Sequence, residues 1–140
     1  MEVVNTLDID GTQWNIQDTE ARNEISALKT EIEKLNTIEK WEYNLPVYGG
    51  KIIARRQGNV VSVNGFDIGT VKALTTDIGD INLAILPEKF RPSDPHFFMM
   101  RTAGSYQTQC GGVVYPNGAI NYYTYTNVNY GYFSVSYIVD

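Results

Sequence analysis

The last quarter of the chain concentrates side chains that suit sugar binding, namely tyrosines interleaved with small polar residues. Eight of the ten tyrosines lie between Thr102 and Val139, and this stretch contains no Asp, Glu, Lys or Arg. A sugar ring has apolar C–H faces ringed by hydroxyl groups, so flat amphipathic Tyr rings and hydrogen-bonding Asn, Gln, Ser and Thr match it. The stretch therefore predicts recognition of an uncharged glycan, and packing of the same tyrosines in a core or subunit interface is the alternative.

The candidate ligand-binding residues come from this stretch and from two positions just before it. Period-two alternation places Tyr123 and Tyr125 on one face of a strand and Tyr122 on the other, so one ligand cannot contact all three. His96 follows a Pro-rich turn and is predicted as a surface turn residue or a polar ligand contact. Arg101 suits an anionic group or a structural ion pair. The candidate set is Tyr106, Gln107, Tyr122, Tyr123, Tyr125, Asn127, Tyr130, Tyr132, His96 and Arg101.

After residue 43, no residue pattern predicts catalysis or a metal site. A lone His without a second His or Cys does not make a zinc site, and hydrolysis of a glycosidic bond needs two carboxylates flanking the bond. Apart from the terminal Asp140, the acids after residue 43 precede the tyrosine-rich stretch and show no pairing by spacing; they are Asp67, Asp77, Asp80, Glu88 and Asp94. We therefore expect a protein that is not an enzyme and needs no cofactor.

Two aspartates near the start of the chain resemble a known catalytic motif. The run Leu7-Asp8-Ile9-Asp10-Gly11-Thr12 is similar to the nucleophile motif of haloacid dehalogenase-like phosphatases, which implies Asp8 as the nucleophile and Asp10 as the acid or base. That family needs a long domain of repeated βα units, and the rest of the chain does not supply one. Asp10-Gly11 between apolar runs instead predicts a two-residue hairpin turn.

Composition indicates a globular chain of about one domain. Of its 140 residues, 43% are hydrophobic and 19% are charged, which excludes a disordered chain. No apolar run approaches the ~18 residues of a membrane-spanning helix, and the first residues do not resemble a signal peptide. A net charge of −5 argues against nucleic-acid binding. The single Cys110 predicts folding in a reducing compartment.

Residues 18–42 form a densely charged segment with a heptad pattern, with 11 of the 27 charged residues of the chain. Asp18 or Thr19 can cap a helix whose apolar positions recur at spacings of 4, 3, 4 and 3. The seam consists of Ala21, Ile25, Leu28, Ile32 and Leu35. A narrow seam with charged flanks predicts a coiled coil rather than a helix packed on its own domain, because an isolated helix of this length is marginal in water. Ile at a with Leu at d favours two strands.

Residues 43–140 show repeated strand signals separated by turn residues. The candidate strands are Lys51–Arg56, Asn59–Val63, Phe66–Leu74, Ile81–Leu86, Phe97–Ala103, Tyr106–Tyr115, Ala119–Thr126 and Tyr132–Val139. The predicted turns are Gly49-Gly50, Asn64-Gly65, Gly79-Asp80 and Pro116-Asn117-Gly118. So many short strands in fewer than 100 residues predict an antiparallel sandwich or barrel.

Several stretches resemble the tail proteins of phages and prophages of Gram-positive bacteria. Ile9-Asp10-Gly11-Thr12, followed by Trp14, Ile16, Asp18, Ala21-Arg22, Ile25 and Leu28, is similar to a hairpin-then-helix element of tail and baseplate proteins. Gly50–Arg56, Gly58–Val61, Leu86–Pro92, Asn117-Gly118 and the ending Phe133–Ile138 resemble the heads of phage receptor-binding proteins. The resemblance implies a homotrimeric β-barrel head on a helical neck, with host cell-wall saccharide bound in clefts at or near protomer boundaries.

Taken together, the sequence predicts a mainly β protein in three parts: an N-terminal β-hairpin for attachment (1–17), a short trimeric coiled-coil neck (18–42) and an antiparallel β-barrel or sandwich head (43–140). The predicted function is a phage tail receptor-binding protein that recognises host cell-surface glycan. Its expected partners are two further copies of itself, the glycan, and tail or baseplate proteins at the N-terminal region, without nucleic acid or membrane insertion. It is expected in the virion, after assembly in the bacterial cytoplasm. A structural tail trimer without glycan binding is the alternative, and a glycan-cleaving tip is less favoured.

Overall fold

The structure is a computed structural model that describes residues 6–15, 19–69, 81–102, 110–124 and 130–139. The chain divides into two compact units, Met1–Thr37 and Ile38–Asp140. Strands make up 57% of the described residues, so the protein is mainly β, as the sequence predicts.

The first unit opens with the predicted hairpin. Strands β1 (Thr6–Ile9) and β2 (Thr12–Asn15) pair antiparallel around Asp10 and Gly11. Both turn residues adopt positive φ angles, 49° for Asp10 and 77° for Gly11, as a turn that follows the right-handed twist of the strands requires. The phosphatase-like aspartates therefore lie in and beside a tight hairpin turn.

Helix α1 (Thr19–Asn36) presents its apolar seam without burying any residue. Glu20 in the first turn and Lys34 in the last turn complement the helix dipole. Leu28, Ile32 and Leu35 are 57%, 54% and 54% exposed. Within the described residues the chain thus shows an amphipathic helix and no coiled coil. None of the described helices is long and apolar enough to cross a membrane.

The helix ends earlier than the predicted 18–42 neck, because residues 38–44 are a strand. The Thr37 amide donates to the Glu33 carbonyl at 3.0 Å, and β3 (Ile38–Asn44) begins at the next residue. β3 pairs along its whole length with β4 (Lys51–Gln57), and Trp41 packs against the core. Pairing with β4 and the packing of the partly buried Trp41 outweigh continuation of the helix, so the second unit begins at Ile38 rather than at residue 43.

The second unit is a nearly closed, barrel-like antiparallel sheet of eight strands. The remaining strands are β5 (Val60–Ile68), β6 (Ile81–Ile85), β7 (His96–Thr102), β8 (Cys110–Val114), β9 (Ala119–Thr124) and β10 (Gly131–Ile138). The order in the sheet is β3-β4-β5-β10-β7-β8-β9-β6, so β3 and β6 are the two edges. The general prediction of an antiparallel barrel is confirmed at this level.

The segment after β6 packs into the core of the sheet and is held there by hydrogen bonds. A 3₁₀ helix (Glu88–Phe90) brings Phe90 into the core, where its side chain is fully buried. The Tyr137 hydroxyl donates to the Phe90 carbonyl at 2.6 Å, and Arg91 Nε donates to the Leu86 carbonyl at 2.9 Å. The Leu-Pro-x-x-Phe-Arg-Pro segment is therefore a structural element of this barrel.

One predicted turn is wrong and another is correct. Asn64-Gly65 lies inside the continuous strand β5, where both residues pair with β4 and with β10. A Cβ at Gly65 would stand 2.2 Å from Cε1 of the buried Phe133 ring. Gly65 is thus required for close packing rather than for a change of direction. At the other position the Gly118 amide donates to the Tyr115 carbonyl at 2.8 Å, with a φ of 88° at Gly118, which is the predicted turn. The predicted Gly79-Asp80 turn lies outside the described residues.

Candidate functional site

The structure describes six of the ten predicted ligand-binding residues. The other four, which lie outside the described residues, are Tyr106, Gln107, Tyr125 and Asn127. The six that are described do not form one site, because they occupy both faces of the sheet and different ends of its strands.

Tyr122 is a core residue, which corrects its assignment to the ligand-binding set. Its side chain is fully buried among the core residues of β9 and its neighbours. The hydroxyl lies near Thr124 and Cys110, yet within the described chain it makes no hydrogen bond of acceptable geometry. Burial raises the pKa of Tyr122 well above its ordinary value. A surface ligand therefore has no access to this ring.

His96 and Tyr123 have structural contacts of their own. The His96 ring, which is half-buried, stacks on Tyr137 with the centroids 5.0 Å apart and an angle of 28° between the planes. Tyr123 lies directly opposite Gly111 in the β8–β9 pair, and a Cβ at Gly111 would be 3.2 Å from the Tyr123 hydroxyl oxygen. Gly111 thus leaves room for the Tyr123 ring to lie across the sheet.

Three of the predicted residues meet at one end of the β5–β10–β7 sheet. Tyr132 in β10 lies directly opposite Arg101 in β7, and its hydroxyl donates to Oδ1 of Asp67 in β5. Tyr130, just before β10, lies beside the end of β5, where a Cβ at Gly69 would be 3.9 Å from the Tyr130 amide nitrogen. Tyr130 and Tyr132 are 60% and 39% exposed, and Arg101 is exposed as well. We call Asp67, Arg101, Tyr130 and Tyr132 the tyrosine cluster.

Unusual backbone conformations position this cluster. Asp67 and Tyr130 both adopt the left-handed region, with φ of 52° and 57°, which is rare for residues other than glycine. Such conformations cost free energy and persist only where the surrounding structure imposes them, often at binding sites. Here the pairing of β10 with β5 is shifted between Gly131 and Phe133. A Cβ at Gly50 would stand 2.5 Å from the Asp67 carbonyl oxygen, so the Gly50 backbone packs closely against the end of β5.

The Tyr132 hydroxyl is a hydrogen-bond donor whose ionisation Asp67 disfavours further. The hydrogen bond to Asp67 raises the pKa of Tyr132, because loss of the proton would place a phenolate beside a carboxylate. Tyr132 thus remains a hydrogen-bond donor over the physiological range of pH. Asp67 was not in the predicted set, since it lies 65 residues from Tyr132 and no local sequence signal connects them.

The cluster combines two exposed aromatic rings with one carboxylate and one guanidinium group. It offers apolar faces together with donors and acceptors, which suits an amphipathic polar ligand better than a purely apolar one. Among the described residues, no group of three or more His, Cys, Asp or Glu side chains is placed to hold a metal ion.

The comparisons with known proteins give no match from which a function for this site would follow. No protein-family model matches the sequence, and a comparison with curated proteins gives no significant match. The resemblance to phage receptor-binding proteins, with the homotrimer and the glycan that it implies, therefore stays a prediction from the residues.

Proposed function

We propose that this protein is a non-enzymatic recognition module of a phage tail, which binds host cell-wall glycan through its barrel. The tyrosine cluster is the observation that carries this proposal. Two exposed tyrosines lie beside Asp67 and Arg101 at one end of the barrel-like sheet. This composition matches a ligand that has both apolar faces and hydroxyl groups.

Each member of the cluster has a distinct role in glycan binding. The exposed ring of Tyr130 is the platform on which a sugar ring stacks. Asp67 accepts hydrogen bonds from sugar hydroxyls, and Arg101 donates to them or to an anionic substituent of the polymer. The bond between Tyr132 and Asp67 holds both side chains before the ligand arrives, which lowers the conformational entropy lost on binding.

The proposed homotrimer rests on the exposed seam of α1. Leu28, Ile32 and Leu35 are each more than half exposed, and they recur at heptad spacing. Further copies of the same helix would cover this seam by coiled-coil packing. Three glycan sites on one particle raise the overall affinity by ~10²–10⁴ over a single site. In this arrangement the first unit attaches to other tail or baseplate proteins and the protein is part of the virion.

A second candidate function is a structural tail component without glycan binding. Phe97 and Met99 in β7 are the observation that favours it, because both side chains are largely exposed on the sheet face away from the core. Adjacent exposed apolar side chains of this kind often mark a protein contact.

A glycan array of Gram-positive cell-wall saccharides tests the proposal. We expect binding to one class of saccharide, and we expect Tyr130→Asn to weaken it about tenfold, equivalent to ~1.4 kcal/mol. Asn is chosen because it tolerates the left-handed backbone that Tyr130 adopts. Phe97→Ala is the matched control, because it removes an exposed aromatic ring outside the cluster and should leave single-site affinity unchanged.

The outcomes separate the three functions. Folded protein that binds no saccharide on the array would favour the structural role. Release of new reducing ends from a bound saccharide would instead show a glycan-cleaving enzyme and overturn the non-enzymatic assignment. Equal loss of affinity in Phe97→Ala and Tyr130→Asn would mean that the tyrosine cluster is not the site.

A further inference from the structure

A cleft opens along the gap between the two edge strands, β3 and β6. It has a volume of about 480 Å³, within the range of sites that bind small molecules. Trp41, Tyr43, Tyr48 and Asn82 line it together with apolar residues of β6 and of the turn after β3. None of the ligand-binding residues predicted from the sequence lies in this lining, so the cleft is separate from the tyrosine cluster.

One wall of the cleft is a pair of parallel aromatic rings. Trp41 and Tyr43 are two residues apart on β3, so both side chains are on the sheet face that points toward the core. Their ring centroids are 5.7 Å apart and their planes differ by 2°. Trp41 packs against the core, whereas Tyr43 is exposed. The core therefore fixes the position of the Trp41 ring, and the exposed Tyr43 ring is accessible to a ligand.

The cleft also carries several hydrogen-bonding groups that the described chain leaves available. The Trp41 indole N–H and the hydroxyls of Tyr43 and Tyr48 take part in no hydrogen bond among the described residues. Asn82 Nδ2 donates to Asn121 Oδ1 at 3.1 Å, which leaves Asn82 Oδ1 as an acceptor. Because β3 and β6 are edge strands, the outer side of each also lacks a partner strand within the described sheet.

The absence of charged residues from the cleft lining restricts the class of ligand that can bind there. None of the residues that line the cleft is charged. The nearest ionic groups of β3 are engaged with one another on its outer face, where Glu42 pairs with Lys40 at 2.6 Å and with Lys51 at 2.9 Å. A charged ligand would lose its hydration in the cleft without gaining a counter-charge. The lining therefore favours a neutral ligand.

At the other end of β3, an ion pair and a hydrogen bond connect β3 and β4 to the 3₁₀ helix that follows β6. Glu39, near the start of β3, pairs with Lys89 in the 3₁₀ helix that follows β6. Arg56 Nη1 in addition donates to the Lys89 carbonyl at 2.8 Å. These contacts hold the gap between the edges at one end, and the cleft lies beside the later part of β3.

We propose that this cleft is a binding site for a neutral saccharide ring. The apolar C–H face of the sugar lies against Trp41 and Tyr43, and its hydroxyls hydrogen-bond with Tyr48 and Asn82. Parallel aromatic rings, uncharged hydrogen-bonding groups and a cleft of this volume together match such a ring. The ligand class follows from the cleft itself, and only its origin in a host cell wall rests on the proposed function.

Trp41 is a built-in reporter for the test. The chain contains two tryptophans, so Trp14→Phe leaves Trp41 as the only tryptophan, whose emission is excited selectively at wavelengths that tyrosine does not absorb. The full chain carrying this change is titrated with neutral mono- and disaccharides of glucose, galactose and N-acetylglucosamine. We expect a saturable change in Trp41 emission with at least one of them. Added to this background, Tyr43→Ala should weaken the binding about tenfold, while Tyr43→Phe, which keeps the ring, should retain most of it.

A second variant tests the cleft independently of Tyr43, and a matched control tests whether the response is specific to the cleft. Asn82→Ala removes the acceptor Oδ1 from the cleft and should weaken binding of a neutral sugar even where Tyr43→Ala fails to fold. Tyr130→Asn lies outside the cleft and should leave the Trp41 response unchanged. Thermal unfolding of each variant establishes that the barrel is intact.

The outcomes distinguish this inference from the proposed function. Trp41 emission that stays unchanged up to the solubility limit of every sugar would refute the cleft, even where the array shows glycan binding that depends on Tyr130. Tighter binding of a nucleoside such as adenosine than of any sugar would also overturn the saccharide assignment. A Trp41 response that depends on Tyr43 and Asn82 supports the cleft, whatever the effect of Tyr130→Asn on the array.

Discussion

At the residue scale, core packing around Phe133 depends on glycine at position 65, which has no side chain. A Cβ at this position would be 2.2 Å and 2.4 Å from two carbons of the Phe133 ring. Phe133 is itself stacked on Phe98 with the ring centroids 4.1 Å apart, so it has no free space into which to move. The absence of a side chain at Gly65 is therefore a packing requirement.

We predict that Gly65→Ala lowers the free energy of unfolding by ~1–3 kcal/mol, as expected for overpacking of a core. Urea unfolding followed by circular dichroism measures the change. Gly69→Ala is the control, because the nearest atom to a Cβ there is 3.6 Å away and the glycine does not adopt a positive φ. A similar loss in both variants would mean that loss of glycine flexibility, rather than the Phe133 contact, determines stability.

Two buried tyrosines differ in what their hydroxyl groups do. The Tyr137 hydroxyl donates to the Phe90 carbonyl at 2.6 Å, whereas the Tyr122 hydroxyl has no well-formed hydrogen bond within the described chain. We predict that Tyr137→Phe destabilises the protein by ~1–2 kcal/mol, because it leaves a buried carbonyl without its donor. Tyr122→Phe should cost less or be neutral, because it removes a buried polar group that is poorly compensated.

Thermal and urea unfolding of the two phenylalanine variants make the comparison. Both changes remove one oxygen from a buried ring, so the loss of volume is the same and the hydrogen bond is the variable. An equal or larger effect of Tyr122→Phe would contradict the assignment of the two hydroxyls.

At the scale of elements, edge strand β3 depends on ionic contacts on both of its faces. The ammonium groups of Lys40 and Lys51 lower the pKa of Glu42 to about 2, and the bond to Lys89 lowers the pKa of Glu39. A carboxylate with a lowered pKa stabilises the folded state above its unfolded pKa, and this contribution is lost as the pH falls through the folded value. For Glu42 the loss therefore falls between about pH 4.5 and about pH 2.

We predict that Glu42→Gln is less stable than the parent protein at pH 7 and that the difference shrinks toward zero as the pH approaches 2. The effect should be small, since these groups are exposed and screened by salt. Thermal midpoints at pH 7, 4 and 2.5 follow the convergence. Glu88→Gln, at an exposed position of the 3₁₀ helix, is the control for removal of one negative charge. A constant difference between parent and Glu42→Gln across this range would contradict the role of the ion pairs.

At the scale of the whole molecule, the exposed seam of α1 predicts self-association. Light scattering with mass determination should give about 47 kDa, three times the 15.8 kDa of one chain. A mass of twice the single chain would instead indicate the two-stranded packing that Ile at a and Leu at d favour. A single copy at every concentration would contradict both the neck and the receptor-binding proposal.

Leu28→Glu tests whether the seam is the interface. We predict that this variant sediments as a single chain, because three buried carboxylates in one coiled coil would repel one another. Ala27→Glu adds the same charge one position away, off the seam, and should leave the oligomer intact. Sedimentation velocity of the two variants makes the comparison, and dissociation by Ala27→Glu alone would locate the contact elsewhere on the helix.

The amino-acid sequence by itself determined the features that depend on residues close together in the chain. The Asp10-Gly11 turn, the Pro116–Gly118 turn, the amphipathic helix and most strand positions follow from local backbone preferences and side-chain periodicity. Such preferences act over a few residues, so a single chain reveals them without knowledge of what they pack against.

Only the tertiary structure decided which side chains meet and which face each one occupies. Tyr122 has the same sequence context as its neighbours, yet core packing buries it, and Tyr132 acquires a partner in Asp67, 65 residues away. Residues 38–44 form a strand instead of the predicted helix because they pair with β4, and the cleft between β3 and β6 likewise depends on contacts between distant strands. Strand order creates these contacts, and strand order is set by the free energy of the whole core rather than by any local segment.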